Sequence, residues 1–280
     1  MIIDTHTHIF PEAIAHRAIS KLSANEGLHP YTEGTATSLL RSSKKAGVGL
    51  NIVLPVVTKP TQTRDVCEEA IKTNEEYEKG CTAPALYSFG GIHPDNEDYK
   101  EVLNTLYSNG IKGIKLHPVF QLTYFDDIKY MRIIDHACSL GMVINVHAGR
   151  DITLKDAEFS DINHIIPVLK TLNPPKLILA HMGGWNSWDN AEEMLDRYKP
   201  YIDTSFSHRM IDPYPSIYKP LSDEQMLRLM SVVGFDHVLF GTDSPWTDQK
   251  DSLDILKGII KDDENFSMVT ESNAQKLILF

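Results

Sequence analysis

Five polar side chains close short apolar runs in this chain, and their types suit a hydrolytic metal. His6 and His8 end the run Ile2-Ile3-Asp4-Thr5-His6-Thr7-His8. His147 follows Met142-Val143-Ile144-Asn145-Val146, and His181 follows Leu177-Ile178-Leu179-Ala180. Asp243 follows Val238-Leu239-Phe240-Gly241-Thr242. In an extended strand residues i and i+2 point to the same side, so His6 and His8 face inward together. Neutral imidazole suits Zn²⁺, Fe²⁺ or Mn²⁺. His6, His8, His147 and Asp243, drawn from three strands, can hold such an ion and leave room for water. An ion of that kind lowers the pKa of water and polarises a carbonyl. A carboxylate touching the water can take its proton and return it to the leaving group. A histidine near the substrate oxygen can stabilise negative charge.

The elements that must position these residues are legible as eight apolar, β-rich segments. They cover residues 2–9, 49–57, 86–93, 111–117, 142–147, 177–181, 201–206 and 237–243. Amphipathic helical segments lie between most of them, clearest at 126–141, 187–199 and 222–234. In the first of these, Ile128, Met131, Ile134, Ala137 and Cys138 share a face. Asp126 to Gly141 and Ser222 to Gly234 have the capping residues that helix ends require. Near-continuous Val, Ile and Leu in the strands indicates burial on both faces, hence a parallel sheet. Eightfold strand–helix alternation predicts an α/β fold of the closed (β/α)₈ TIM-barrel kind, one domain over 1–280. An open doubly wound sheet is the alternative. It is weakened because His-Thr-His stands where a Gly-rich nucleotide fingerprint would follow the first strand. Residues 266–280 read as a closing helix. The long connections 10–35, 119–125 and 207–221 leave the C-terminal face, where loops shape a substrate pocket.

The bulk properties narrow the partners. The chain has 280 residues, and its net charge of −11 repels phosphate backbones and anionic membranes. A small-molecule substrate is expected, with neither nucleic acid nor membrane as partner. Cys67, Cys81 and Cys138 are isolated and odd in number, as for free thiols in a reducing cytosol. The opening Met1-Ile2-Ile3-Asp4 has no basic region, and no apolar run approaches the roughly 18 residues of a membrane span. A cytoplasmic protein is the expectation. The Pro/Tyr-rich stretch 214–218 has the composition of a lid or of an interface in a homo-oligomer.

A family resemblance rests on Asp4-Thr5-His6-Thr7-His8, Gly113-Ile114-Lys115-Leu116-His117-Pro118 and Val146-His147, with Leu179-Ala180-His181-Met182-Gly183-Gly184 and Phe240-Gly241-Thr242-Asp243-Ser244-Pro245. Together they resemble the amidohydrolase superfamily, in its amidohydrolase-related (amidohydrolase 2) branch. That branch includes the aminocarboxymuconate-semialdehyde decarboxylases. The resemblance implies that His6, His8 and His147 ligate the metal and that Asp243 is both ligand and proton shuttle. His181 would bind a second metal, or hold the reactive water and the developing oxyanion. Many two-metal members carry a carboxylated Lys on strand four, where this chain has Lys115. A carboxylated Lys115 would bridge two ions; a plain ammonium would instead hold a substrate carboxylate. One ion, Zn²⁺, is the expectation.

Further substrate-binding candidates are His117, His93, Arg150, His208, Arg209 and Trp246. Arg150 could clamp a carboxylate, or form a surface pair with Asp151. Ser205 ends strand seven beside His208 and Arg209, and Trp185 follows His181 as Trp246 follows Asp243. The leading expectation is a metal-dependent hydrolase of a C–N or C–O bond in a small molecule. The alternative is a non-oxidative decarboxylase of a small carboxylic acid. A third reading, a TatD-like deoxyribonuclease, shares Asp-Thr-His-Thr-His and Thr-Asp-Ser-Pro, but it calls for Glu where Lys115 stands and for a basic groove.

Overall fold

The computed structural model of the protein describes residues 1–80, 83–154, 157–208 and 219–279. Cys81, Arg209 and the stretch 214–218 lie outside the described residues. Every predicted β segment contains or adjoins a strand, and each strand is shorter than its apolar run. Strands β1 and β2 are Ile2–Thr7 and Val48–Val53. Strand β3 is Ala85–Ser88, interrupted at Phe89 and resumed as Gly90–Gly91. Then follow β4 (Gly113–Leu116), β5 (Val143–Val146) and β6 (Leu177–Leu179). Strands β7 (Tyr201–Asp203) and β8 (Val238–Leu239) complete the set.

Chain neighbours pair in parallel from β1 through the first part of β3, and again from the second part of β3 through β8. Backbone hydrogen bonds then join the two ends. Thr5 N donates to Phe240 O (2.8 Å), Asp243 N to His6 O (2.8 Å) and His8 N to Ser244 O (2.7 Å). The sheet therefore curls into the predicted (β/α)₈ barrel, and the open doubly wound alternative falls away. Closure is what sets the segment carrying Asp243 beside the one carrying His6 and His8.

The helices surround this ring. They are α1 (Glu12–Glu26), α2 (Ala36–Ala46), α3 (Thr63–Glu78), α4 (Tyr99–Ser108) and the short α5 (Pro118–Gln121). Next come α6 (Ile128–Ser139), α7 (Ile162–Leu172), α8 (Trp188–Tyr198), α9 (Asp223–Val233), α10 (Gln249–Ile259) and α11 (Asp263–Ser267). Helix α9 starts as expected: Ser222 Oγ accepts from Gln225 N, and Gln225 Oε1 accepts from Ser222 N. The cap of α6 is Asp127 rather than Asp126, because Asp127 Oδ1 accepts from Lys129 N (2.8 Å) while Asp126 is engaged by His164 Nδ1 (2.7 Å). The closing helix is wound more widely than an α-helix, with π turns at Met268–Ser272 and Gln275–Leu279. Among the described residues no helix is long and apolar enough to cross a membrane.

Two apolar layers hold the ring. Ile3, Leu50, Ile52, Phe89, Val143 and Leu239 pack inside it with Leu277 and Ile278 of the closing helix. A larger layer, including Leu106, Ile114, Ile133, Ile144 and Val168, lies between strands and helices. The inward register on β1 is not a simple alternation: Ile3 belongs to the inner cluster, yet the even-numbered His6 and His8 face the site. An irregularity in the β1–β2 register between Asp4 and Thr7 permits this change. Asp4 consequently points outward into a buried polar network. Its carboxylate accepts from Thr242 Oγ1 (2.6 Å) and Gln249 Nε2 (2.8 Å), and Gln249 Nε2 also donates to Asn51 Oδ1 (2.8 Å). Burial pushes the Asp4 carboxyl up to about 6, although these hydrogen bonds oppose the rise.

The inner layer makes a stability prediction. Ile52 is fully buried, so Ile52→Ala removes packing that the barrel cannot refill. A loss of about 2–5 kcal/mol is expected, read as a lowered urea midpoint with an unchanged slope.

Candidate metal centre

The four histidines and Asp243 converge because of where the strands end. His6 and His8 come from the end of β1, His147 follows β5 and His181 follows β6, so all four point into the ring's C-terminal mouth. Ring centroids of His6 and His8 lie 5.1 Å apart, those of His6 and His181 5.1 Å, and those of His147 and His181 4.7 Å. His8 Nε2 is 2.9 Å from Asp243 Oδ1, and His6 Nε2 is 3.5 Å from the same oxygen. His6, His8 and Asp243 lie close enough for one ion to touch all three.

The outer nitrogen of each ring is committed elsewhere. His6 Nδ1 donates to Asp203 Oδ2 (2.9 Å) and His8 Nδ1 to Leu54 O (2.7 Å). His147 Nε2 donates to Arg150 O (2.8 Å), and His181 Nδ1 donates to Ser205 O (3.1 Å). Such acceptors fix the tautomer and leave the inner nitrogen as a lone pair. The inner nitrogens of His147 and His181 then face each other at 3.0 Å. Two acceptors at such a distance repel unless a cation lies between them. His8 Nε2 lies 2.9 Å from Asp243 Oδ1, a distance that a ring proton or a shared ion satisfies. The residues present therefore fit a divalent metal, with nitrogen and oxygen donors of the kind Zn²⁺, Fe²⁺ or Mn²⁺ accept.

Electrostatics agrees with this assignment. Burial pushes His6 down to about 4, with the nearby Lys115 adding to the effect. Burial likewise holds His147 low and His181 well below the usual histidine range, so the rings are neutral and able to ligate. Burial opposes ionisation of Asp243 and Asp203, but the neighbouring histidines outweigh it, and both carboxyls sit below their usual range. Lys115 is buried among these groups, donates to Asn145 Oδ1 (2.8 Å) and approaches His6 Nε2 (3.4 Å). Burial pushes it down to about 8.

Backbone strain marks the same residues. His181 (φ 58°) and Asp243 (φ 67°) both adopt the left-handed conformation, which costs about 1–3 kcal/mol for a residue other than glycine. Each is held there by a hydrogen bond, from His181 N to Asp203 Oδ1 (3.0 Å) and from Asp243 N to His6 O (2.8 Å). Gly241 allows the approach of β1: a Cβ there would meet His6 Cβ at 2.9 Å.

The histidines and Asp243 line a cavity of about 250 Å³ with Lys115, His117, Asp151, Trp185 and Trp246. A cavity of roughly 150 Å³ accommodates benzene, so this one takes a single substituted ring. Three substrate candidates do not reach its wall. His93 Nδ1 accepts from Asp95 N (3.2 Å), which holds the ring in its own turn. The Arg150 carbonyl takes His147 Nε2, and its side chain turns outward to Glu158 Oε1 (2.7 Å) rather than to Asp151. His208 is buried, and its backbone bridges to Leu221 away from the cavity wall. Arg209 falls outside the described residues.

Sequence reasoning missed Asp203. This fully buried carboxylate accepts from His6 Nδ1, His181 N and Asn145 Nδ2, and from the Ser205 hydroxyl. Its signal was available: an acidic residue ending the apolar run Tyr201-Ile202-Asp203, like Asp243 at the end of its own run. The surface pair of Arg150 with Asp151 does not form: Asp151 is 7% exposed and faces the cavity.

A family profile described as Amidohydrolase matches residues 3–280. Among curated proteins no sequence match is found. Solved structures resemble the chain at full length. An uncharacterized TIM-barrel protein from Bordetella bronchiseptica has 14% identity and a TM-score of 0.71, covering 99% of this chain and 97% of that one. A dihydroxybenzoic acid decarboxylase from Polaromonas, with bound manganese and the inhibitor 2-nitroresorcinol, has 14% identity and a TM-score of 0.69 (99% and 96%). A probable 2-pyrone-4,6-dicarboxylic acid hydrolase from Acinetobacter baumannii, with citric acid bound, has 15% identity and a TM-score of 0.66 (100% and 99%).

Asp203 gives a test of the centre that does not depend on substrate. Asp203→Asn keeps the shape but weakens the hold on His6 Nδ1. Metal affinity is expected to fall about 10–100-fold, measured by equilibrium dialysis against buffered Zn²⁺ or Mn²⁺, with the far-ultraviolet dichroism unchanged.

Proposed function

We propose that this chain, which belongs to the amidohydrolase family, holds one divalent ion on His6, His8, His147 and Asp243 and hydrolyses a C–N or C–O bond of a small molecule. Family membership makes it an enzyme that works with a divalent metal. Zn²⁺ is the ion we favour, and one catalytic domain over residues 1–280 is our reading of the chain. The observation that supports the proposal is the convergence of His6, His8 and Asp243 within reach of one ion at the ring's mouth, with the inner nitrogen of His147 turned toward the same mouth.

When bound, a divalent ion supplies Lewis acidity, acidifying water and polarising a substrate oxygen. The chain's own residues do the rest. Asp243 takes a proton from the attacking water through a carboxylate oxygen and returns it to the leaving group. His181 orients that water by accepting a hydrogen bond at Nε2. Lys115 offers an N–H of Nζ to a substrate carboxylate or carbonyl oxygen. In a two-ion variant, a carboxylated Lys115 would serve as a shared ligand, and His147 and His181 would hold the second ion. Phe10, Leu22, Phe120, Trp185, Phe206 and Trp246 exclude bulk water and seat an apolar substrate body.

That apolar wall also favours a second reading, non-oxidative decarboxylation. Loss of CO₂ turns a charged carboxylate into a neutral product, which a dry cavity favours, and the likeness to a dihydroxybenzoic acid decarboxylase supports it. Asp243 or His181 would then carry the proton delivered to carbon. The free thiols Cys67 and Cys138 support a cytoplasmic setting.

A panel of lactones, cyclic amides, esters and aromatic carboxylic acids, incubated in ¹⁸O-labelled water, tests both readings. Hydrolysis places solvent oxygen in the product without CO₂; decarboxylation releases CO₂ and places solvent hydrogen on carbon. His6→Ala and His147→Ala are expected to lose metal and activity together. Asp243→Asn is expected to lower turnover by about 10²–10⁴-fold while keeping most of the metal. Full activity after chelation would refute the metal-dependent reading.

A further inference from the structure

We infer that Asp151 and His117 recognise a hydroxyl group on the substrate, about one imidazole width from the metal ligands. The inference rests on the reading of the cavity as an enzyme's substrate site and deepens it. Asp151 faces that cavity from a buried position. Its Oδ1 accepts from Thr153 N (2.8 Å) and Thr153 Oγ1 (2.5 Å). Its Oδ2 faces two imidazoles beyond hydrogen-bonding reach, His147 Nε2 at 3.7 Å and His117 Nε2 at 3.8 Å.

His117 cannot swing to close that gap. Its ring is stacked between Phe120 (centroids 4.1 Å apart, planes 5° apart) and His147 (4.3 Å, 15°). Its Nδ1 accepts from Phe120 N (3.4 Å), which places the ring proton on Nε2. The cavity wall thus holds one donor, His117 Nε2–H, and one acceptor, Asp151 Oδ2, each too far from the other to satisfy it. Both groups line the cavity, and a ligand group that meets the two together, in place of the water that would otherwise solvate them, gains selectively.

Only some groups can do so. A hydroxyl accepts from His117 and donates to Asp151 through one oxygen. An ether or ester oxygen accepts but leaves Asp151 unmet. A carboxylate is repelled by Asp151, and an ammonium finds no use for the His117 N–H. A metal ion is also disfavoured, although His117, His147 and Asp151 lie within mutual reach. His147 Nε2 already donates to Arg150 O (2.8 Å), and His117 Nε2 carries its proton, so neither offers a lone pair there. The substrate class is therefore a single-ring, apolar molecule with a hydroxyl substituent set away from its reacting group.

Hydroxybenzoates and their methyl ethers are suitable probes, because the carboxylate can occupy the metal end while the substituent reports on the other. Binding of 3- and 4-hydroxybenzoate and of 3- and 4-methoxybenzoate to the metal-loaded protein would be measured by titration calorimetry. At least one hydroxybenzoate is expected to bind about 10-fold or more tightly than its ether. Asp151→Leu should reduce that ratio to below about 3-fold with metal per chain unchanged, and the shape-keeping Asp151→Asn should give an intermediate ratio. The inference is overturned if hydroxy and methoxy compounds bind alike, if no hydroxybenzoate binds, or if the preference survives in Asp151→Leu. Loss of a bound ion in Asp151→Leu would also overturn it and identify a second metal site. Failure of the metal-enzyme reading would be visible separately, as wild-type protein that binds no divalent ion.

Discussion

A negative carboxylate buried without water must be surrounded by donors, and Asp203 meets that requirement by tying four strands of the barrel together. Its two oxygens accept from the His6 ring on β1, the His181 amide beyond β6, the Asn145 amide group on β5 and the Ser205 hydroxyl beyond β7. Isolated, such a charge would be expelled or protonated. Satisfied, it dictates which nitrogen of His6 faces inward and where the backbone of His181 must lie. The directions of the His6 ring and of the His181 backbone are thus consequences of solvating one buried charge.

The same centre shows how local cost is carried by the surrounding fold. His181 and Asp243 sit in left-handed backbone conformations that their side chains disfavour. The apolar layers inside and outside the ring supply ample stability to hold them. The strain has a geometric result: the chain turns out of the regular pleat after β6 and β8, which brings His181 and Asp243 toward the side chains of β1.

A second polar cluster, on the outer side of β1, supports the first. Asp4 ties the backbone and hydroxyl of Thr242 to the Gln249 side chain of α10. Thr242 immediately precedes Asp243, and Asp4 lies two residues before His6. The seam where β1 meets the β8 segment is consequently fixed from both faces, by the His8–Asp243 contact within and by amide, hydroxyl and carboxyl groups without. Hydrogen bonds of this kind add little net stability individually, but they specify one register at the place where the ring closes.

The residue order alone determined a good deal. Apolar runs alternating with capped amphipathic helices required a parallel α/β sheet, because strands buried on both faces need helices against them; the hydrogen bonds between β1 and the β8 segment decided ring over open sheet. Imidazoles and a carboxylate at the ends of those runs required a common mouth, so His6, His8, His147, His181 and Asp243 could be named from their positions. Tertiary structure decided what depends on contacts between distant segments. The tautomer of each histidine follows from an acceptor such as Leu54 O or Asp203, remote in the chain. Asp203 and Asp151 gained their roles only from the groups folded around them, while Arg150 and His93 were drawn away by neighbours in their own loops. Periodicity specifies which face a residue occupies within its own element; it carries no information about what another element places opposite.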